Sequence, residues 1–159
     1  MFRFVLLFSV VAVINVQSTP VDQCTYESGP LPISTDIEGC SSLPCIVPQY
    51  QDAVIHMAFR ARNDIKSMRT YETVFFPPGP PYGYPLIENA ETCNFLRNAK
   101  CPIQQDDIVH YTLKVPLHPS FPKGSKFALE FKIEDSERLS PVACIRVRFN
   151  IVDPVPVLD

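Results

Sequence analysis

The stretch 126–134, KFALEFKIE, sets Phe127, Leu129, Phe131 and Ile133 on one side of an extended chain, with Glu130, Lys132 and Glu134 on the other. Successive strand residues point to opposite faces, so this alternation predicts a β-strand with one dry and one wet face. Residues 144–152, CIRVRFNIV, repeat the pattern: Ile145, Val147, Phe149 and Ile151 alternate with Arg146, Arg148 and Asn150. Further out, Val109, Tyr111, Leu113 and Val115 alternate with His110, Thr112 and Lys114. Ile55, Met57, Phe59 and Ala61 alternate with His56, Ala58, Arg60 and Arg62. Leu31, Ile33, Thr35 and Ile37 share a face over 31–38, and 66–76 is rich in Thr, Tyr, Val and Phe. Sheets built from such strands bury their dry faces against one another, which predicts an all-β sandwich.

The connecting segments agree. FPPGPPYGYP, residues 76–85, holds five Pro and two Gly and can form neither a helix nor a central strand. Pro116, Pro119 and Pro122 interrupt the chain before Lys126, and Glu134 to Ser140 reads as a polar hairpin connection. Only Asn89 to Asn98 offers room for a helical turn. The 159 residues suffice for one domain, and a hydrophobic content of 46% excludes global disorder. The formal net charge of −3 leaves no basic excess for general nucleic-acid binding.

Residues 1–18 read as a secretory signal peptide. Arg3 supplies the positive charge, Phe4–Ile14 is an apolar run too short to span a bilayer comfortably, and small Val16 and Ser18 suit cleavage after Ser18. Residues 19–159 are then a single secreted domain. Its compartment is extracellular, with the lysosomal lumen as the other location that fits. All six Cys fall after the cut, and in an oxidising compartment they read as three disulfides whose connectivity the spacing alone leaves open. Cys40/Cys45 and Cys93/Cys101 lack metal-type spacing and have no His beside them, so no metal site is expected.

No nucleophile elbow, zinc-protease helix, phosphate loop or dinucleotide loop occurs, and neighbouring Asp106 and Asp107 diverge as successive residues before a strand. The expectation is a protein that is not an enzyme and uses no cofactor.

The cysteines and their neighbours resemble the ML lipid-recognition family of Niemann–Pick type C2 sterol carriers and group 2 mite allergens. Features appear in family order: a lone Cys24; Cys40-Ser-Ser-Leu-Pro-Cys45; Cys93 followed by Cys101-Pro102-Ile103; Tyr111 to Leu117 (YTLKVPL) ahead of Phe121-Pro122; and Ala143-Cys144-Ile145 opening the last strand. The resemblance covers about Cys24 to Asp153. It departs from the pattern in the Pro-rich stretch 78–84 and in Phe131, which stands where the sterol carriers often have Trp.

The resemblance implies an immunoglobulin-like sandwich of about seven strands, with an apolar cavity between two antiparallel sheets and the pairs Cys24–Cys144, Cys40–Cys45 and Cys93–Cys101. It implies a non-catalytic carrier of a sterol, fatty acid or similar small apolar lipid, with membrane or receptor docking for transfer. The alternative is an innate-immune module that presents bacterial lipid to a receptor. Ile37, Val47, Ile55, Met57 and Phe59 correspond to pocket-wall positions, and Tyr84 to a residue at the mouth. Tyr111, Leu113 and Val115 line the next strand, Pro116, Leu117 and Phe121 form the portal turn, and Phe127, Leu129, Phe131 and Ile133 form the opposite wall. Ile145, Val147 and Phe149 are the deep end of the pocket or plain core. The Tyr111 hydroxyl is free either to meet a ligand's head group or to reach solvent.

Overall fold

The computed structural model describes residues 18–117 and 121–154. Among them are eight strands: β1 (Ser34–Ile37), β2 (Cys45–Pro48), β3 (Asp52–Arg60), β4 (Met68–Phe75), β5 (Tyr82–Tyr84), β6 (Ile108–Pro116), β7 (Lys126–Asp135) and β8 (Ser140–Val152). Of two 3₁₀ turns, Thr92–Phe95 falls within the interval 89–98 that the sequence left for a helical turn, and Ile87–Ala90 begins just before it. The strands form a three-stranded sheet in the order β1-β3-β6 and a five-stranded sheet in the order β2-β8-β7-β4-β5. The fold is an immunoglobulin-like β-sandwich held by Cys24–Cys144, Cys40–Cys45 and Cys93–Cys101.

Period-two alternation is visible in a sequence only where one face is dry along its whole length. β3, β6, β7 and β8 satisfy that condition, and their apolar residues converge in one core. β2 and β5 are short, contain or adjoin Pro, and escape the pattern. β5 is an edge strand on β4, which tolerates neighbouring Pro because its outer side needs no ladder. The sheets are not wholly antiparallel, since β2 runs parallel to β8. The chain leaves β1 in one sheet and joins the other as β2, and Cys40–Cys45 ties that crossing. Leu31 and Ile33, expected on the dry face with Ile37, are instead exposed, because the ladder with β3 begins only at Ser34.

The outer face of the five-stranded sheet is not simply wet. Residues 22–30 cross it as a strap. Asp22 exchanges backbone hydrogen bonds with Arg146, Cys24 is bonded to Cys144, and the Cys144 N–H donates to the Pro30 carbonyl. Gly29 has φ +152, and a Cβ there would lie 2.9 Å from the Cys144 Cβ, so only glycine lets the strap approach so closely. Under the strap, Glu130 is 0% exposed although it stands on the polar side of the β7 alternation.

Candidate functional site

The register fixes which side chains share the space between the sheets. On β7, Phe127, Leu129, Phe131 and Ile133 face inward opposite Phe149, Val147, Ile145 and Ala143 of β8. From the three-stranded sheet come Ile37, Ile55, Met57 and Phe59, with Tyr111, Leu113 and Val115. All of these are buried, as are Val47, Leu117 and Phe121; Tyr84 and Pro116 are partly covered. The structure thus brings together the residues that the sequence grouped. His118 and Pro119 lie outside the described residues.

One end of this interior is aromatic. Phe127 stacks on Phe121 with ring centroids 4.1 Å apart and on Phe149 at 5.7 Å, and Tyr84 meets Phe121 at 5.9 Å. Phe76, in phase with Val74, stacks over Phe127 at 6.2 Å and reaches the surface. Phe149 therefore lies at the aromatic end, one ring removed from Phe121. The far end is closed by Ile133, Met68 and the Ile65–Ile103 bridge. Beside the aromatic end a groove of about 300 Å³ opens, lined by Pro44, Phe75, Pro77, Phe127 and Phe149 and rimmed by Lys126, Arg146 and Arg148.

The side of the sandwich between β4 and β6 is closed by the 3₁₀ segment. Arg69 bridges to Glu91, and Leu96 to Tyr111. Here the Tyr111 hydroxyl, expected to meet a head group or to reach solvent, is buried away from solvent. It lies 2.9 Å from Thr70 Oγ1, which is itself 2.8 Å from Thr92 Oγ1, all three buried. Burial pushes the Tyr111 phenol up to about 12 despite these hydrogen bonds.

Sequence reading missed Glu72. β4 places Met68, Thr70, Glu72 and Val74 on its inward face, with Glu72 between Tyr84 of β5 and Phe131 of β7. It is 3% exposed, and among the described residues neither carboxyl oxygen has a hydrogen-bond partner. Desolvation pushes its pKa up to about 8. The signal was available in principle: a carboxylate in phase with Met68, Thr70 and Val74 sits on a dry face. Phe76 was missed for a related reason, since the Pro-rich run after it hid its phase.

This buried acid makes a testable demand on stability. The unfolded chain ionises Glu72 near its ordinary pKa of 4.5, while the folded chain keeps the proton to about pH 8. Between those values the native state binds more protons, so stability falls as pH rises. Compared with Glu72→Gln, the wild-type protein is expected to lose about 3–5 kcal/mol between about pH 5 and pH 8. Urea unfolding at both pH values measures this, and parallel profiles for the two proteins would refute it.

Among the described residues, no three His, Cys, Asp or Glu side chains come together as metal ligands do. His56 on the outer face is held by Thr112 and Glu38. Lys66, Arg69 and Lys123 pair with Glu137, Glu91 and Asp153. No helix among the described residues is long and apolar enough to cross a membrane.

Comparison with known proteins places this geometry. A Niemann–Pick type C2 protein from the Japanese carpenter ant superimposes with a TM-score of 0.66 at 17% identity, covering 83% of this chain and 98% of that one. Chicken MD-1 complexed with lipid IVa aligns with a TM-score of 0.44 at 15% identity, covering 70% of this chain and 75% of that one. No curated protein matches the sequence. The ML domain matches residues 18–151, which span both sheets, and the chain belongs to the ML domain family.

Proposed function

We propose that this chain is a secreted lipid-binding protein that holds a sterol, fatty acid or similar small apolar molecule between its two sheets and releases it unchanged. Membership of the ML domain family supports the lipid-binding role. The observation that carries the reading is the aromatic run Phe149–Phe127–Phe121–Tyr84, which leads from the core to the edge of the five-stranded sheet. Rings at such a site can part and restack around an apolar guest without stranding polar groups. Covering about 300 Å² of apolar ligand surface at about 25 cal/mol per Å² gives on the order of 7 kcal/mol before entropic costs.

In this reading Tyr84, Leu117 and Phe121 admit the ligand, and the inward faces of β3, β6 and β7 form its walls. Cleavage after Ser18 leaves Thr19 first. Its backbone nitrogen meets the Thr35 carbonyl at 2.8 Å and its hydroxyl meets the Cys40 carbonyl at 2.6 Å, so a chain starting there is anchored from its first residue.

Native mass spectrometry of the protein secreted from cells, followed by organic extraction, tests this. The expected result is a polypeptide beginning at Thr19 that carries an adduct of a few hundred daltons, recovered in the organic phase. A clean unliganded mass that persists after incubation with sterols and fatty-acyl lipids would overturn the reading.

A further inference from the structure

Glu72 is an anomaly among the buried acids. Glu130 accepts hydrogen bonds from the N–H groups of Thr25, Tyr26 and Glu27, from the Thr25 hydroxyl and from Arg146. Asp135 is held by Arg138 and by the N–H groups of Glu137 and Arg138. Glu72 has no such partner among the described residues, although it is as deeply buried. The nearby hydroxyls do not serve it, because Thr70 bonds to Thr92 and Tyr111. A buried polar group without a partner is costly, and native proteins keep few of them. Its position is also particular. Glu72 lies on the inward face, opposite Phe131 on the adjacent strand. Phe131 is four residues along β7 from Phe127, a backbone separation of about 13 Å at about 3.3 Å per residue, and on its other side Glu72 pairs with Tyr84, the last ring of the aromatic run. A lipid admitted at that end can lay its apolar body along the rings and bring its polar end to Glu72.

We infer that Glu72 is the polar anchor of the inter-sheet site and selects lipids whose polar end donates a hydrogen bond, an alcohol or an amine, over lipids ending in a carboxylate. The inference rests on the lipid-binding reading above. The chemistry follows from what each end group can supply. A protonated carboxyl has one donor and spare acceptor capacity, and an alcohol meets both; an ionised carboxyl has only acceptors, and an ammonium pairs with it. A pKa raised to about 8 leaves both forms accessible near neutrality. A carboxylate can accept the single donor of the protonated form but offers nothing to its acceptor oxygen, and it repels the ionised form. It also finds no buried cation to receive it, since every buried charged side chain among the described residues is acidic.

The test is equilibrium dialysis near neutral pH with radiolabelled octadecanol, octadecylamine, octadecanoic acid and octadecane. The wild-type protein is compared with Glu72→Gln and Glu72→Leu. The wild-type protein is expected to bind the alcohol and the amine about tenfold more tightly than the acid, a factor that one well-placed hydrogen bond supplies. Glu72→Leu is expected to erase that preference while still binding octadecane. Glu72→Gln, which keeps the shape and can both donate and accept, is expected to retain the alcohol and lose the advantage of the amine. Equal affinities that do not change in either variant, or a wild-type preference for the acid, would overturn the anchor and leave lipid binding standing. Failure of all four ligands to bind any of the proteins would overturn the lipid-binding reading, and the anchor with it.

Discussion

Glu130→Ala is expected to lower the free energy of unfolding by about 3–5 kcal/mol at neutral pH. The carboxylate is completely buried between β7 and the strap. Removing it strands three backbone N–H groups at Thr25, Tyr26 and Glu27 and leaves the Arg146 guanidinium without its 2.8 Å partner. Arg146 keeps its place over the Phe75 ring, 4.0 Å from the centroid, but has lost its counter-charge. Urea unfolding of the variant reads the loss directly, and a change below about 1 kcal/mol would mean that water replaces the carboxylate at little cost. The pH signature has the opposite sign to that of Glu72. Burial alone would push the Glu130 pKa up, but the strap amides and Arg146 outweigh it and hold the pKa below the ordinary value. A depressed carboxylate contributes stability above the unfolded pKa of 4.5, and that contribution is lost as pH falls through the folded value. The Glu130 contribution therefore fades in acid, and the Glu72 penalty grows between pH 4.5 and about 8.

Replacing both Cys24 and Cys144 with alanine is expected to cost about 4–5 kcal/mol, from the chain-entropy estimate for a loop of this length. The bridge spans 120 positions and joins the strap to β8, the strand next to β7. Without it, the unfolded chain regains nearly all the freedom of the domain. The two short bridges, with separations of 5 and 8, constrain much less. Because Glu130 and Cys24 hold the same strap, their losses should not add. In the triple variant the combined loss should fall short of the sum by at least about 1 kcal/mol, whereas strict additivity would show that the carboxylate and the disulfide act on separate parts of the structure. Calorimetric or urea unfolding of the single, double and triple variants measures this coupling.

The difference between what could be read in advance and what could not follows from the range of the interactions. Alternation in 126–134 and 144–152 is local: each side chain's face follows from its neighbour's, so the dry faces of β7 and β8, and those of β3 and β6, were legible one residue at a time. Glu130 obeyed the alternation and still ended up buried, because the strap that covers it comes from more than a hundred positions away. Tyr111 was placed on the correct face, but its hydroxyl partner Thr70, and Thr92 bonded to Thr70 in turn, arrive from another sheet and from a 3₁₀ turn.

The sequence by itself determined the β class, the single-faced strands, the Pro-rich breaks and the kind of residue that fills the interior, since each depends on side-chain chemistry at fixed spacing along one chain. Tertiary structure alone decided that β2 runs parallel to β8, that Phe149 lies at the aromatic end, that a strap buries Glu130 with partners, and that Glu72 is buried with none among the described residues. These depend on which distant segments meet, and the penalty on a buried carboxyl is set by what surrounds it rather than by its position in the chain.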